Sequence, residues 1–303
     1  MTIVDFHSHW FSRPFFEALA GLSPQGGTVE DKLEEVSAKT GIELPPVDND
    51  QHLARWKQSL DQHGVDHLVA FSSHPAETGT VGEAAARSDG RITPMALVDP
   101  TQPGTPAKVE ALVRDHGFAG VLVFPAMHHF DPAGPELDGV LEALEPHGGI
   151  IYVHCGMLVV KLRDLLGIPR PYDMRHADPL RVVPAANRHR NVRFVIPHFG
   201  AGFLRETLML GAQCENTYVD TSSSNSWIST QPGLGGLAEV FSLALEVFGP
   251  ERILFGTDSN VFPAGWRADR LAEQRACLES LRQGPEVQSR IFGGNALELL
   301  GKA

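Results

Sequence analysis

Cysteine is scarce in this chain: Cys155, Cys214 and Cys277 are scattered through 303 residues and form no C-x-x-C pair. Neither a disulfide framework nor a thiolate zinc site can be built from them, which fits a reducing compartment. No run of 18 apolar residues occurs, so no segment reads as a membrane-spanning helix. Positive charge is in deficit, with 25 Lys and Arg against 37 Asp and Glu, and no basic tract offsets the net −12. A field of that sign repels nucleic acid and anionic membranes and argues against both as partners. The opening residues lack the basic stretch and apolar core of a secretory leader, giving the expectation of a cytoplasmic protein.

What is present is a globular balance. Hydrophobic residues at 42% and charged residues at 20% are enough to bury a substantial core. Short apolar, β-branched-rich runs recur at 3–7, 65–71, 92–98, 120–124, 150–154, 193–198, 217–220 and 253–258, which predicts eight strands. Helical faces lie between them, such as Leu53, Trp56 and Leu60, or Leu237, Val240, Phe241, Ala244, Leu245 and Phe248. Thr105-Pro106 and Asp178-Pro179 each place a capping oxygen before a proline suited to a first helical turn. Apolar strands alternating with helices imply a parallel sheet covered on both faces, and eight such units close a (β/α)8 TIM barrel. One barrel domain over 1–303 is the expectation, with an open doubly wound sheet as the alternative. Phe6-His7-Ser8-His9 stands where a dinucleotide-binding sheet would carry its glycine-rich fingerprint. Three connections are long, 10–47, 155–177 and 221–235, after strands 1, 5 and 7. All leave from the strand ends that form the active-site face of a barrel.

The chemistry gathers at those ends. His7 and His9, two apart on a strand, point to one side about 7 Å apart and can converge on one ion. His154, His198 and Asp258 each close an apolar run, on the fifth, sixth and eighth predicted strands. Polar residues at strand ends also serve as simple loop caps. Imidazole nitrogens with a carboxylate oxygen nevertheless make a ligand set for Zn²⁺ or another first-row ion, with room left for water.

The motifs Val4-Asp5-Phe6-His7-Ser8-His9, Tyr152-Val153-His154, Val195-Ile196-Pro197-His198-Phe199-Gly200, Phe255-Gly256-Thr257-Asp258 and Gly293-Gly294-Asn295-Ala296-Leu297-Glu298-Leu299-Leu300 together resemble the amidohydrolase superfamily. The likeness is to its amidohydrolase-2 branch, which holds aminocarboxymuconate-semialdehyde decarboxylase and related decarboxylases and hydrolases. It implies His7, His9, His154 and Asp258 as metal ligands and His198 as an acid/base beside the ion's water. Asp258, bound through one oxygen, would shuttle a proton with the other. The fourth strand ends Leu122-Val123-Phe124-Pro125-Ala126, without the lysine of the superfamily's binuclear members, so one divalent ion is expected, Zn²⁺ or else Mn²⁺. A homodimer is also what the resemblance suggests.

For the substrate, residues 155–190 hold Lys161, Arg163, Arg170, Arg175, Arg181, Arg188 and Arg190 against Asp164, Asp173 and Asp178. Arg163, Arg170 and Arg175 in the long fifth loop are candidates to grip a carboxylate, the alternative being a solvated loop. Trp10, close to the histidines in sequence, is a candidate contact for a ring-shaped substrate; like Phe11, Phe15 and Phe16 it can instead pack its loop onto the barrel. Cys155 reads as a buried thiol, and Asp5 as a hydrogen-bonding support. The preferred expectation is hydrolysis of a small, carboxylate-bearing, cyclic or amide substrate. Non-oxidative decarboxylation by the same ion is the alternative, and a binding or scaffold protein on an inactive barrel the third reading.

Overall fold

The structure is a computed structural model that describes residues 1–223 and 225–302. Its strands are β1 (Val4–His9), β2 (His67–Phe71), β3 (Ile92–Leu97), β4 (Gly120–Val123), β5 (Ile150–Val153), β6 (Arg193–Ile196), β7 (Thr217–Asp220) and β8 (Ile253–Leu254). They lie parallel in chain order, each hydrogen-bonded to the next. The last then meets the first: Phe6 N donates to Phe255 O at 2.8 Å, Asp258 N to His7 O at 2.9 Å and His9 N to Ser259 O at 2.8 Å. An open sheet has two free edges and makes no such bonds, so the architecture is the (β/α)8 barrel.

The strands are buried along almost their whole length because helices cover the barrel from outside. Helix Asn49–His63 sets Leu53, Trp56 and Leu60 against it, and helix Leu237–Phe248 sets Val240, Phe241, Ala244 and Phe248. Inside, Phe6, Phe71 and Tyr152 pack together, and the Tyr152 hydroxyl donates to Phe6 O at 2.9 Å. This plug forms a floor under one rim of the barrel. Among the described residues no helix is long and apolar enough to cross a membrane.

Two strands stop short of the sequence expectation. β6 ends at Ile196 because Pro197 begins a tight turn in which His198 and Phe199 take left-handed backbone angles (φ 57° and 52°). β8 ends at Leu254, although 255–259 still runs beside β1. Gly256 permits that approach, since a Cβ there would lie 2.8 Å from the His7 Cβ and 2.9 Å from the Ser222 Cβ. One cap also differs. Asp178 caps as expected, accepting from Leu180 N at 2.9 Å, but Thr105 lies inside its helix and donates to Asp99 O, leaving Gly104 (φ 80°) at the cap.

The long connections carry local structure. Residues 10–47 fold as helices Arg13–Leu22 and Val29–Thr40, and 155–177 holds the short helix Lys161–Leu165. The latter segment crosses the barrel mouth. It is tied on the β1 side by Ser23 Oγ donating to Leu166 O and Gln25 Nε2 to Leu165 O, and on the β4 side by Asp173 N donating to Ala126 O.

Candidate metal centre

β1 carries one residue more than β2 between two pairings, Asp5 with Leu68 and Ser8 with Ala70. Such a bulge re-aims side chains, and here the His7 and His9 rings come to 5.3 Å, edge to face. Each imidazole has one nitrogen engaged: His7 Nδ1 is 2.6 Å from Asp220 Oδ2, and His9 Nδ1 is 2.6 Å from Ser73 Oγ. Each Nε2 thereby turns to the same carboxylate, 3.9 Å for His7 and 3.4 Å for His9 from Asp258 Oδ1. Donors bound at about 2.0–2.2 Å in a tetrahedral shell stand roughly 3.4 Å apart, so these three atoms fit one cation.

His154 follows β5 and is buried. Its ring lies 5.2 Å from that of His198, and its Nδ1 is cut off from water with no hydrogen-bond partner among the described residues. A buried nitrogen without a partner is costly, and a ligand is one way to satisfy it. His154 faces the cluster without joining the group of His7, His9 and Asp258, whose donor atoms lie within 4.8 Å of one another. A second such group, His7, His198 and Asp220, adjoins it.

Asp220 organises this second group. Besides His7 it accepts from His198 N at 3.0 Å, Ser222 N at 2.9 Å and Ser222 Oγ at 2.5 Å, and Ser222 Oγ is also 2.8 Å from His198 Nδ1. Burial opposes its charge, yet His7 and these donors hold its carboxyl down at about 2. Burial also works against a charged His7, but Asp220, then Asp258 and Asp5, lift its pKa above the ordinary value. For His154 and His198 burial prevails, reinforced by neighbouring imidazoles, and both fall below the usual histidine value, His154 well below. Neutral imidazoles are the form that binds metals. Asp258, 30% exposed at the mouth, is held below the carboxylate range by its histidine neighbours despite desolvation.

A family model described as amidohydrolase matches residues 4–302. The chain belongs to the amidohydrolase family. Among solved structures it is similar to a 5-carboxyvanillate decarboxylase from Novosphingobium aromaticivorans complexed with manganese and 4-hydroxy-3-methoxy-5-nitrobenzoic acid (12% identity, 99% of this chain and 96% of that one, TM-score 0.68). It is also similar to an amidohydrolase from Burkholderia multivorans with bound zinc (16%, 99% of each chain, 0.66). A third is a probable 2-pyrone-4,6-dicarboxylic acid hydrolase from Acinetobacter baumannii with citric acid bound (15%, 99% and 100%, 0.62). No sequence among curated proteins matches the chain.

The residues expected to touch substrate in this amidohydrolase separate sharply. Trp10 is a correction: it is fully buried, stacked on Trp56 and edge to face with His52, and donates from Nε1 to Asn49 Oδ1. It packs its loop onto the barrel wall and presents no face to a pocket. Its neighbour Phe11 has a left-handed backbone (φ 41°), and its ring stacks on that of His9 at 5.2 Å. Arg170 is paired with Asp164 at 2.7 Å, and Arg175, 89% exposed, with Asp173 at 2.6 Å. Among the described residues the Arg163 guanidinium donates only to the carbonyl of Pro169; it lies over the Tyr172 ring at 6.0 Å and depresses the pKa of His74 after burial has lowered it. The Tyr172 hydroxyl beside it is buried with no partner among the described residues. Cys155 is fully buried, and desolvation pushes its thiol up.

Asp220, Ser222, Ser73 and Glu77 carry much of the arrangement and were not singled out from sequence. Asp220 had a signal, since it closes the seventh predicted strand as His154 and Asp258 close theirs. Asp5 does act as a support, accepting from His7 N, Thr257 N, Thr257 Oγ1 and Trp266 Nε1.

Proposed function

We propose that this protein is a hydrolase of a small carboxylate-bearing substrate such as a lactone, an amide or a ring-cleavage product. It uses one divalent ion, Zn²⁺ or else Mn²⁺, held by His7, His9, His154 and Asp258 on a single barrel unit. The observation that carries this is the release of both His7 Nε2 and His9 Nε2 toward Asp258, each ring fixed through its Nδ1. Ligating histidines are oriented in this way, the second ring nitrogen occupied by a carboxylate or hydroxyl. A divalent ion held there would supply water acidified from 15.7 toward about 7 and would polarise a substrate oxygen.

The chain's own residues do the rest. His198, neutral and held by Ser222 through Nδ1, keeps Nε2 to accept or return a proton at the reacting group. The second oxygen of Asp258 is its proton-carrying partner. Arg163 and the Tyr172 hydroxyl hold the substrate carboxylate, and the 155–177 segment shields the mouth from bulk water.

Decarboxylation of an aromatic acid is the second reading. The Phe11 ring over His9 suits a planar substrate, and the likeness to 5-carboxyvanillate decarboxylase points the same way. Loading the protein with Zn²⁺ or Mn²⁺ and screening lactones, amides and aromatic acids, with proton release and CO₂ followed separately, tests both. A new carboxylate without CO₂, accompanied by proton release where a lactone opens and by amine where an amide is cut, is the expected result. CO₂ without net hydrolysis replaces the first reading by the second, and activity in protein free of metal overturns both.

A further inference from the structure

Glu77 ends the short turn Pro75–Glu77 after β2, is fully buried, and makes no ion pair among the described residues. Its Oε1 accepts from Ser12 N at 2.5 Å and Ser12 Oγ at 2.9 Å, and its Oε2 from Ser73 N at 2.8 Å. Both partners belong to His9. Ser12 lies three residues beyond it, at the end of the sharp turn that sets Phe11 on the imidazole, and the Ser73 hydroxyl is 2.6 Å from its Nδ1. One carboxyl therefore moors the backbone leaving His9 and the backbone of the serine whose hydroxyl engages its ring.

A buried carboxyl without a cation is expensive to keep, and burial pushes this one up to about 7. Hydrophobic packing would tie two loops together at lower cost. What a carboxyl does and packing cannot is accept from two separate loops at once, fixing the direction of each donor.

We infer that Glu77 is a positioning residue for His9: by holding Ser73 and Ser12 it keeps the His9 Nδ1–H directed at the Ser73 hydroxyl and Nε2 directed at Asp258. A glutamine preserves shape but presents an amide NH₂ to one set of donors, so one clasp must open.

The test has two readouts. Only the second rests on His9 being a metal ligand. In full-length, metal-free protein, ¹H–¹⁵N correlation of the imidazoles is expected to show a single Nδ1–H tautomer for His9 in the wild type and a mixture in Glu77→Gln. Competition with a chelator for Zn²⁺ is expected to show affinity falling about 10- to 100-fold in Glu77→Gln. Glu77→Asp, which keeps two acceptor oxygens, should recover part of both; should Glu77→Gln not fold, Glu77→Asp takes its place and is compared with the wild type. An unaltered His9 tautomer in the folded variant overturns the inference, whatever the affinity. A wild type with the fixed tautomer and no Zn²⁺ binding instead removes the proposed metal function and leaves the positioning role standing.

Discussion

The imidazole of His7 and the carboxylate of Asp220 meet at 2.6 Å, both side chains sealed from water. Asp220 is also the acceptor for His198 N and for Ser222, so one carboxylate orients a proposed ligand and the proposed acid/base together. Asp220→Asn keeps the volume but turns an NH₂ toward one of these donors. Zn²⁺ affinity is expected to fall about 10- to 100-fold, with kcat falling as well, measured by chelator competition and steady-state kinetics. Wild-type affinity in this variant would detach Asp220 from the centre.

His198→Ala separates binding from turnover. The variant should retain about one metal equivalent by elemental analysis while kcat drops about 10²- to 10⁴-fold. Loss of the ion together with activity would make His198 a ligand instead, as its grouping with His7 and Asp220 permits.

Arg163 and its neighbours on the 155–177 segment give a graded comparison. Arg163→Met is expected to raise KM for a carboxylate substrate at least tenfold with little change in kcat, whereas Arg175→Met, at an exposed pair with Asp173, should change neither. Trp10→Ala should cost about 3–5 kcal/mol of stability in denaturant unfolding, the toll of a large buried ring. Its KM should stay near that of the wild type, in contrast to Phe11→Ala.

Glu77 sets a pH dependence with a definite sign. Its folded pKa, raised by burial from 4.5 to about 7, means that the folded chain keeps a proton the unfolded chain releases first. Stability therefore declines as pH rises from about 4.5 to about 7, by on the order of 3 kcal/mol from this group. The stability of wild type minus that of Glu77→Gln, read from urea midpoints at pH 5 and pH 8, should shrink on going to the higher pH. A constant difference would assign Glu77 an ordinary pKa.

Much of this was legible in the sequence because it depends on local pattern. Eight β-branched runs separated by amphipathic stretches predict a covered parallel sheet that can close as a barrel, the bonds between the last strand and the first deciding closure, and polar residues ending those runs fall on one rim. The same rule could have reached Asp220, which closes the seventh run, but no resembling motif drew attention to that strand as one did to the strand of Asp258. Ser73 and Glu77 were not legible, since their roles arise from bonds between loops more than 60 residues apart, as Ser12 and Glu77 are. Trp10 was misplaced for a related reason. The residue after β1 can turn to the pocket or to the wall, and the choice depends on the left-handed angle at Phe11, which no periodicity encodes.

The seam between β8 and β1 has a consequence for the order in which the molecule is made. His7 and His9 leave the ribosome about 250 residues before Asp258, and their three donor atoms gather within 4.8 Å only when the final strand docks on the first. A nascent or C-terminally truncated chain thus lacks the carboxylate at which His7 Nε2 and His9 Nε2 meet. Under the proposed function, full capture of the ion would wait for that docking, and an ion retained against a chelator would report that the ring has been sealed.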